Sequence, residues 1–164
     1  MKAAIAFLTV LVASVTGDID PTWLNTCLVA HNNFRAQFGY PALQINQSYC
    51  DFTEQRAQAQ VPDCNLSHAG LGDANLGENL AAGHEDCAET VKQWTDEAAN
   101  YNDGRSPGFY MDTGHYTQVV WKSTSTLCCA VVSAPQCPYK YFTACNYYTP
   151  GNYEGQFEDN VPSS

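Results

Sequence analysis

Two histidines and two glutamates, His68, Glu78, Glu97 and His115, are the residues of this sequence best suited to chemistry. His68 stands in CNLSHAG, Glu78 in GENL, Glu97 three residues after Trp94, and His115 near the head of GHYTQVVW. Imidazoles and carboxylates hold zinc or a similar divalent ion. They also carry protons in general acid–base catalysis. Spacing alone does not separate these roles from a plain hydrogen-bonded one, the commoner fate of scattered histidines. The sequence has no HExxH helix, and Ser67 beside His68 does not stand in a nucleophile elbow. A peptidase is therefore the lesser expectation.

The elements that must position these groups can be read from periodicity. Asp20 and Pro21 form a helix start, with a capping carboxylate ahead of proline. Trp23, Leu24, Cys27, Leu28, His31, Phe34 and Phe38 then recur at helical spacing, and Gly39 and Pro41 end the run. His31 falls on the apolar face, where a structural role is expected. Ser48 and Asp51 resemble a capping box ahead of a second helix over residues 52–60. Asp86 and Glu89 open a third helix over residues 87–101, with Cys87, Val91, Trp94, Ala98 and Tyr101 on its inner face. Glu97 lies at the border of that face, so it can look into a cavity. Residues 61–86 read mainly as loop, with a short strand near residues 66–69. His84 falls there in a polar turn. LCCAVVS and YKYFTACNY read as strands, VVW within GHYTQVVW looks strand-like, and the tail from residue 149 reads as turn and coil. A few helices followed by late strands indicate an α+β fold.

The first seventeen residues read as a secretory signal: Lys2, an apolar run over residues 3–15, then small residues suited to cleavage. That run is too short to span a bilayer, and no later one suffices. The expected organisation is a leader over residues 1–17 and a single domain over 18–164, secreted to the extracellular space. The eight cysteines all follow the leader, and an even count in a secreted chain implies four disulfides. Cys128 and Cys129 are adjacent on a strand, so they point to opposite faces and must serve different bridges. The formal charge of −10 becomes −11 without Lys2. Nucleic acid is an unexpected partner for so acidic a chain, and stable membrane insertion is not expected either. Asn46 and Asn65 head glycosylation sequons. Asn65 stands near His68, where a glycan would crowd the cavity, so Asn46 is preferred.

GHYTQVVW resembles the first signature of the CAP superfamily of cysteine-rich secretory, antigen 5 and pathogenesis-related proteins. CNYYTPGNYEGQ resembles the second, and HNNFRAQFG, CNLSHAG and GENLA are similar to further family motifs in the same order. The likeness runs over residues 23–162 and is nearest to the fungal secreted, sterol-binding branch.

The resemblance implies an α-β-α sandwich, a small antiparallel sheet between helical layers, with GHYTQVVW as a short helix rather than a strand. It implies a cavity tetrad of His68, Glu78, Glu97 and His115, with a divalent ion such as zinc held by His68 and His115. That ion would not be required for folding. LGDANLGE lengthens the stretch from His68 to Glu78 relative to plant members, which leaves their separation open. The resemblance further implies Cys64–Cys137 and Cys129–Cys145 bridges. The pairing of Cys27, Cys50, Cys87 and Cys128 stays open. Cys27–Cys87 with Cys50–Cys128 fits a first and third helix sharing one layer and the second helix on the other. Relatives usually have glycine at Cys128. In the fungal branch a mobile aromatic loop before the first signature binds sterols. Here that loop is residues 101–110, with Tyr101, Pro107, Phe109 and Tyr110. The leading expectation is a monomeric secreted carrier of sterol or another small lipid. A protein-interaction or defence module is the alternative.

Overall fold

A computed structural model of the chain describes residues 19–101 and 106–162. The expected leader and residues 102–105 of the aromatic loop lie outside the described residues.

Helix α1 (Pro21–Ala36) begins where Asp20 Oδ1 accepts the N–H groups of Thr22 and Trp23, and Pro21 takes the first helical position. Strand β1 (Gln44–Ile45) and a 3-10 turn (Gln47–Tyr49) lead into α2 (Cys50–Gln58). The capping box expected of Ser48 and Asp51 does not form. Asn46 Oδ1 instead accepts the Ser48 N–H, and α2 starts after Tyr49 with no side-chain cap. An asparagine carbonyl closes this local turn two residues on, which pre-empts the longer cap.

No strand forms at residues 66–69. The strand of this region is β2 (Gly77–Ala82). GENLAA holds no β-branched or aromatic residue, so its propensity is low; its ladder with a neighbouring strand overrides that. Helix α3 (Cys87–Asp96) is capped by Asp86, which accepts from the N–H of Ala88 and Glu89. The continuous helix expected to residue 101 instead breaks at Glu97, and one further turn, α4 (Ala98–Tyr101), follows. GHYTQVV is helix α5 (Gly114–Val120). Strands β3 (Thr126–Ala134) and β4 (Lys140–Tyr148) form a hairpin, and the tail contains a turn of helix, α6 (Phe157–Asn160), where coil was expected.

The sheet order is β1-β3-β4-β2. The β3–β4 and β2–β4 pairs are antiparallel; the two-residue β1 runs parallel to β3. Alternation assigns the faces. Leu127, Cys129, Cys145 and Tyr147 point to the layer of α1 and α3, where they pack with Leu24, Val91 and Trp94. Ala130, Ala144 and Leu80 point the other way and pack on Ala57 of α2. The fold is thus α+β, with the sheet between helical layers.

Four bridges cross-link the fold: Cys27–Cys87, Cys50–Cys128, Cys64–Cys137 and Cys129–Cys145. Cys128 reaches α2 on one face while Cys129 bonds across the hairpin on the other. Three bridges enclose separations of 60, 78 and 73 residues. In the chain-entropy account each such loop stabilises the fold by roughly 4 kcal/mol, against about 3 kcal/mol for a short one.

Two buried basic side chains of α1 fix its position. His31 is fully buried, with Nδ1 2.7 Å from the Cys27 carbonyl oxygen and Nε2 2.9 Å from the Tyr147 hydroxyl. Burial lowers its pKa to about 4, so it is neutral; Nδ1–H donates to Cys27 and Nε2 accepts from Tyr147. Arg35 is also fully buried and has no carboxylate partner among the described residues. Its guanidinium donates to the carbonyls of Pro41, Val119, Trp121, Lys122 and Thr124. These carbonyls include the C-terminal end of α5, where a cation complements the helix dipole.

Candidate functional site

Glu78 and Asn79 are successive residues of the edge strand β2, so they face opposite ways. Glu78 turns to the α2 face. Its carboxylate takes a two-pronged bond from Arg56, Nε to Oε2 at 2.7 Å and Nη2 to Oε1 at 2.9 Å. Asn146 Nδ2 adds a bond of 3.3 Å to Oε2, and His68 Nδ1 donates to Oε1 at 2.9 Å. The Glu78 side chain is wholly buried and Arg56 is 4% exposed, whereas His68 is 60% exposed. Burial, the largest influence, pushes the Glu78 carboxyl up. The bonds from His68, Arg56 and Asn146 and the charge of Arg56 outweigh it, so its pKa falls below the usual carboxylate value. Arg56 also donates to the carbonyls of Ala69 and Ser67, which pins the loop that carries His68.

The second pair sits beyond β2, at the start of α5. Glu97 Oε2 accepts the backbone N–H groups of His115 and Tyr116 at 3.0 and 3.1 Å, and Oε1 accepts His115 Nδ1–H at 2.6 Å. A carboxylate on the first N–H groups of a helix satisfies donors that have no partner inside it. The break between α3 and α4 releases Glu97 for this work. Trp94 stacks on the His115 ring at 6.1 Å and 19°, and Asn79 Nδ2 donates to the His115 carbonyl. The imidazole is thereby fixed in place and only half-buried.

The four residues form two histidine–carboxylate pairs, His68 with Glu78 of β2 and His115 with Glu97. No three of their ligand atoms lie within 4.8 Å of one another; the grouping that meets this among the described residues is Cys27, Cys87 and Cys129. Those sulfurs are all bridged and offer no thiolate. In each pair the carboxylate holds Nδ1–H and leaves Nε2 as the acceptor, the arrangement that readies an imidazole for a metal. By donor type the imidazoles suit a divalent ion such as zinc. They do not supply a closed cage of protein ligands. Ser67 Oγ accepts from the Ala69 N–H, and no hydrogen bond joins Ser67 to His68 among the described residues.

The expected lipid loop divides in two. Tyr101 is half-buried and packs on Tyr116, their rings 5.5 Å apart, within the cluster around Trp121 and Phe157. Tyr110 is half-buried and its hydroxyl donates to the Ser106 carbonyl. Pro107 is exposed, Phe109 is 43% exposed and Met111 is 86% exposed. The inner edge of the Phe109 ring lies where a Cβ on Gly114 would come within 2.8 Å, so this glycine lets the ring rest on α5. The sequence reading missed Arg56 and Met111. Arg56 faces the buried side of a polar helix, and its pairing with Glu78 depends on tertiary contacts that no local pattern announces.

The profile described as the Cysteine-rich secretory protein family matches residues 28–147. Pathogenesis-related protein 1A of Nicotiana tabacum is 37% identical over 134 residues, covering 79% of this chain and 76% of its own length. Secreted protein RBT4 of Candida albicans is 33% identical over 140 residues and secreted protein PRY1 of the same organism 33% over 145. The alignments take in 85% and 87% of this chain but only 38% and 33% of those two longer proteins. Among solved structures, one described as NaASP2 with Zn2+ superposes with a TM-score of 0.59 at 24% identity, covering 84% of this chain and 85% of that one. Venom allergen-like protein 4 of Schistosoma mansoni gives 0.62 at 24% identity, covering 85% and 95%. At that identity the structures speak for the fold alone.

Proposed function

The chain belongs to the cysteine-rich secretory protein family, and from that premise we propose that it is a secreted binding protein for a sterol or another small lipid. The observation that carries this reading is the exposure of both Phe109 and Met111, two residues apart on the segment before α5. The outer face of the Phe109 ring and the Met111 side chain stay in water, where they can shield an apolar ligand when one arrives. Secretion is supported by the leader pattern, by four disulfides and by relatives named as secreted proteins. Residues 18–164 form the binding domain in this reading, and it acts as a monomer. Among the described residues no helix is long and apolar enough to cross a membrane.

The decisive test is saturable binding of a fluorescent sterol to the oxidised protein, beside Phe109→Ala and Met111→Ser variants. Binding that weakens at least about tenfold in each variant, a loss of about 1.4 kcal/mol, supports the reading. Equal binding in all three proteins, or none in any, rejects it and favours a protein-interaction module.

The two His–Glu pairs support a second property, binding of a divalent ion such as zinc through Nε2 of His68 and His115. A solved structure of the same fold is described as holding Zn2+. Neutral imidazoles are required, so binding weakens in acid. Bound to such a site the ion would supply Lewis acidity. Glu78 and Glu97 hold Nδ1 of each ring and set its orientation.

A further inference from the structure

A groove of about 310 Å³ is lined by Cys64, Asn65, Leu66, Ala82, Gln93, Tyr139 and Phe142, with no member of either His–Glu pair among them. None of these residues carries a charge at neutral pH, in a chain whose formal charge is −10. Tyr139 is 59% exposed and Leu66 39%. Asn65 is exposed, and its carboxamide forms no hydrogen bond among the described residues; its backbone N–H is anchored to the Gln60 carbonyl. Asn65 is also the acceptor position of the sequon Asn65-Leu66-Ser67.

We propose that Asn65 carries an N-linked glycan whose first sugar lies in this groove against Tyr139. A neutral ring with hydroxyls and one apolar face matches a lining of an exposed aromatic, an aliphatic side chain and the Gln93 amide. The volume lies at the small end of ligand sites, which run from about 300 Å³ upward, and suits a sugar ring better than a larger ligand. The sugar arrives from a lipid-linked oligosaccharide pyrophosphate. The Asn65 Nδ2–C1 bond forms, the C1–oxygen bond to pyrophosphate breaks, the lipid pyrophosphate leaves, and the amide proton passes to base. In this placement the glycan would not crowd the cavity, since no member of the His/Glu tetrad lines the groove. The inference rests on the reading that the chain is secreted.

The test is to express the full chain with its leader in a eukaryotic secretory host and collect the medium. Peptide mapping after enzymatic deglycosylation in heavy-oxygen water locates the sugar. Removal by the deglycosidase is then timed on the folded protein. We expect a sugar at Asn65 that disappears in Asn65→Gln and persists in Asn46→Gln. Its removal should be several-fold faster in Tyr139→Ala and in Gln93→Ala, both exposed positions, with unfolding midpoints confirming that the variants fold. Secreted protein without sugar at Asn65 overturns the proposal and leaves the secretion reading standing. Sugar at Asn65 with removal rates unchanged in both variants overturns the groove. Chain retained inside the cell with an intact leader overturns both readings.

Discussion

Replacing Arg56 with methionine should unfold more than a surface ion pair would lead one to expect. Exposed pairs contribute about 0–1 kcal/mol. Here Glu78 is fully buried and Arg56 is 4% exposed, so the loss leaves a carboxylate in the interior with its strongest partner gone. Breaking a buried pair this way costs about 3–5 kcal/mol. The carbonyls of Ser67 and Ala69 also lose their donor. His68 cannot compensate, because at 60% exposure its bond is diluted by water. Urea unfolding of the oxidised protein at pH 7 is the assay, run on Arg56→Met, Glu78→Gln and the double variant. The double variant should recover part of the loss, since it removes the stranded charge. The pH dependence carries a sign. The Glu78 carboxyl is held below its usual value, so its contribution is complete above the unfolded value and is lost as pH falls through the folded one. Without Arg56 the influence of burial takes over and raises the folded value above the unfolded one, so the sign reverses and Arg56→Met should gain stability as pH falls. A deficit below about 1 kcal/mol for Arg56→Met, or strict additivity in the double variant, would refute the reasoning.

Three further outcomes follow from other sites. His31 is neutral with a pKa of about 4, below the unfolded value of 6.5. The unfolded chain therefore takes its proton first, and stability should fall by roughly 3 kcal/mol as pH drops from about 6.5 to about 4. Urea midpoints should show that this slope is reduced in His31→Asn. Arg35→Met should cost at least about 3 kcal/mol in the same assay, because buried carbonyls lose their donor while the core keeps a similar volume. Glu97→Gln should weaken zinc binding, read by calorimetry, by about 10–100-fold if Glu97 orients His115 for the metal; unchanged affinity would place the ion elsewhere.

Much of the fold was legible where a local signal agreed with the tertiary outcome. Asp20-Pro21 and Asp86 cap the helices they announce. Val131 and Val132 sit in a strand that reads as one, and so does Phe142. The signal failed where the neighbours decide. GENLAA becomes strand because β4 offers it a ladder, not because its residues favour extension. Val119 and Val120 favour strand in isolation, yet they end a helix whose last carbonyls Arg35 gathers. The same limit applies to the site. The types and positions of His68, Glu78, Glu97 and His115 were readable. Their division into two pairs depends on the β2 register and on Arg56, which only the assembled fold supplies.

The nearness of the Cys27, Cys87 and Cys129 sulfurs has a bearing on how this fold stays correctly wired. A thiolate attacks whichever bridge lies within reach. Cys145 therefore does more than staple the hairpin. By holding Cys129 it withholds the one nucleophile placed to rewire the link between α1 and α3. Loss of Cys145 would turn a single covalent isomer into an interconverting set, whereas loss of the Cys64–Cys137 bridge, whose sulfurs stand outside that grouping, would leave the other pairings alone. The hairpin bridge acts as a lock on connectivity as well as on conformation.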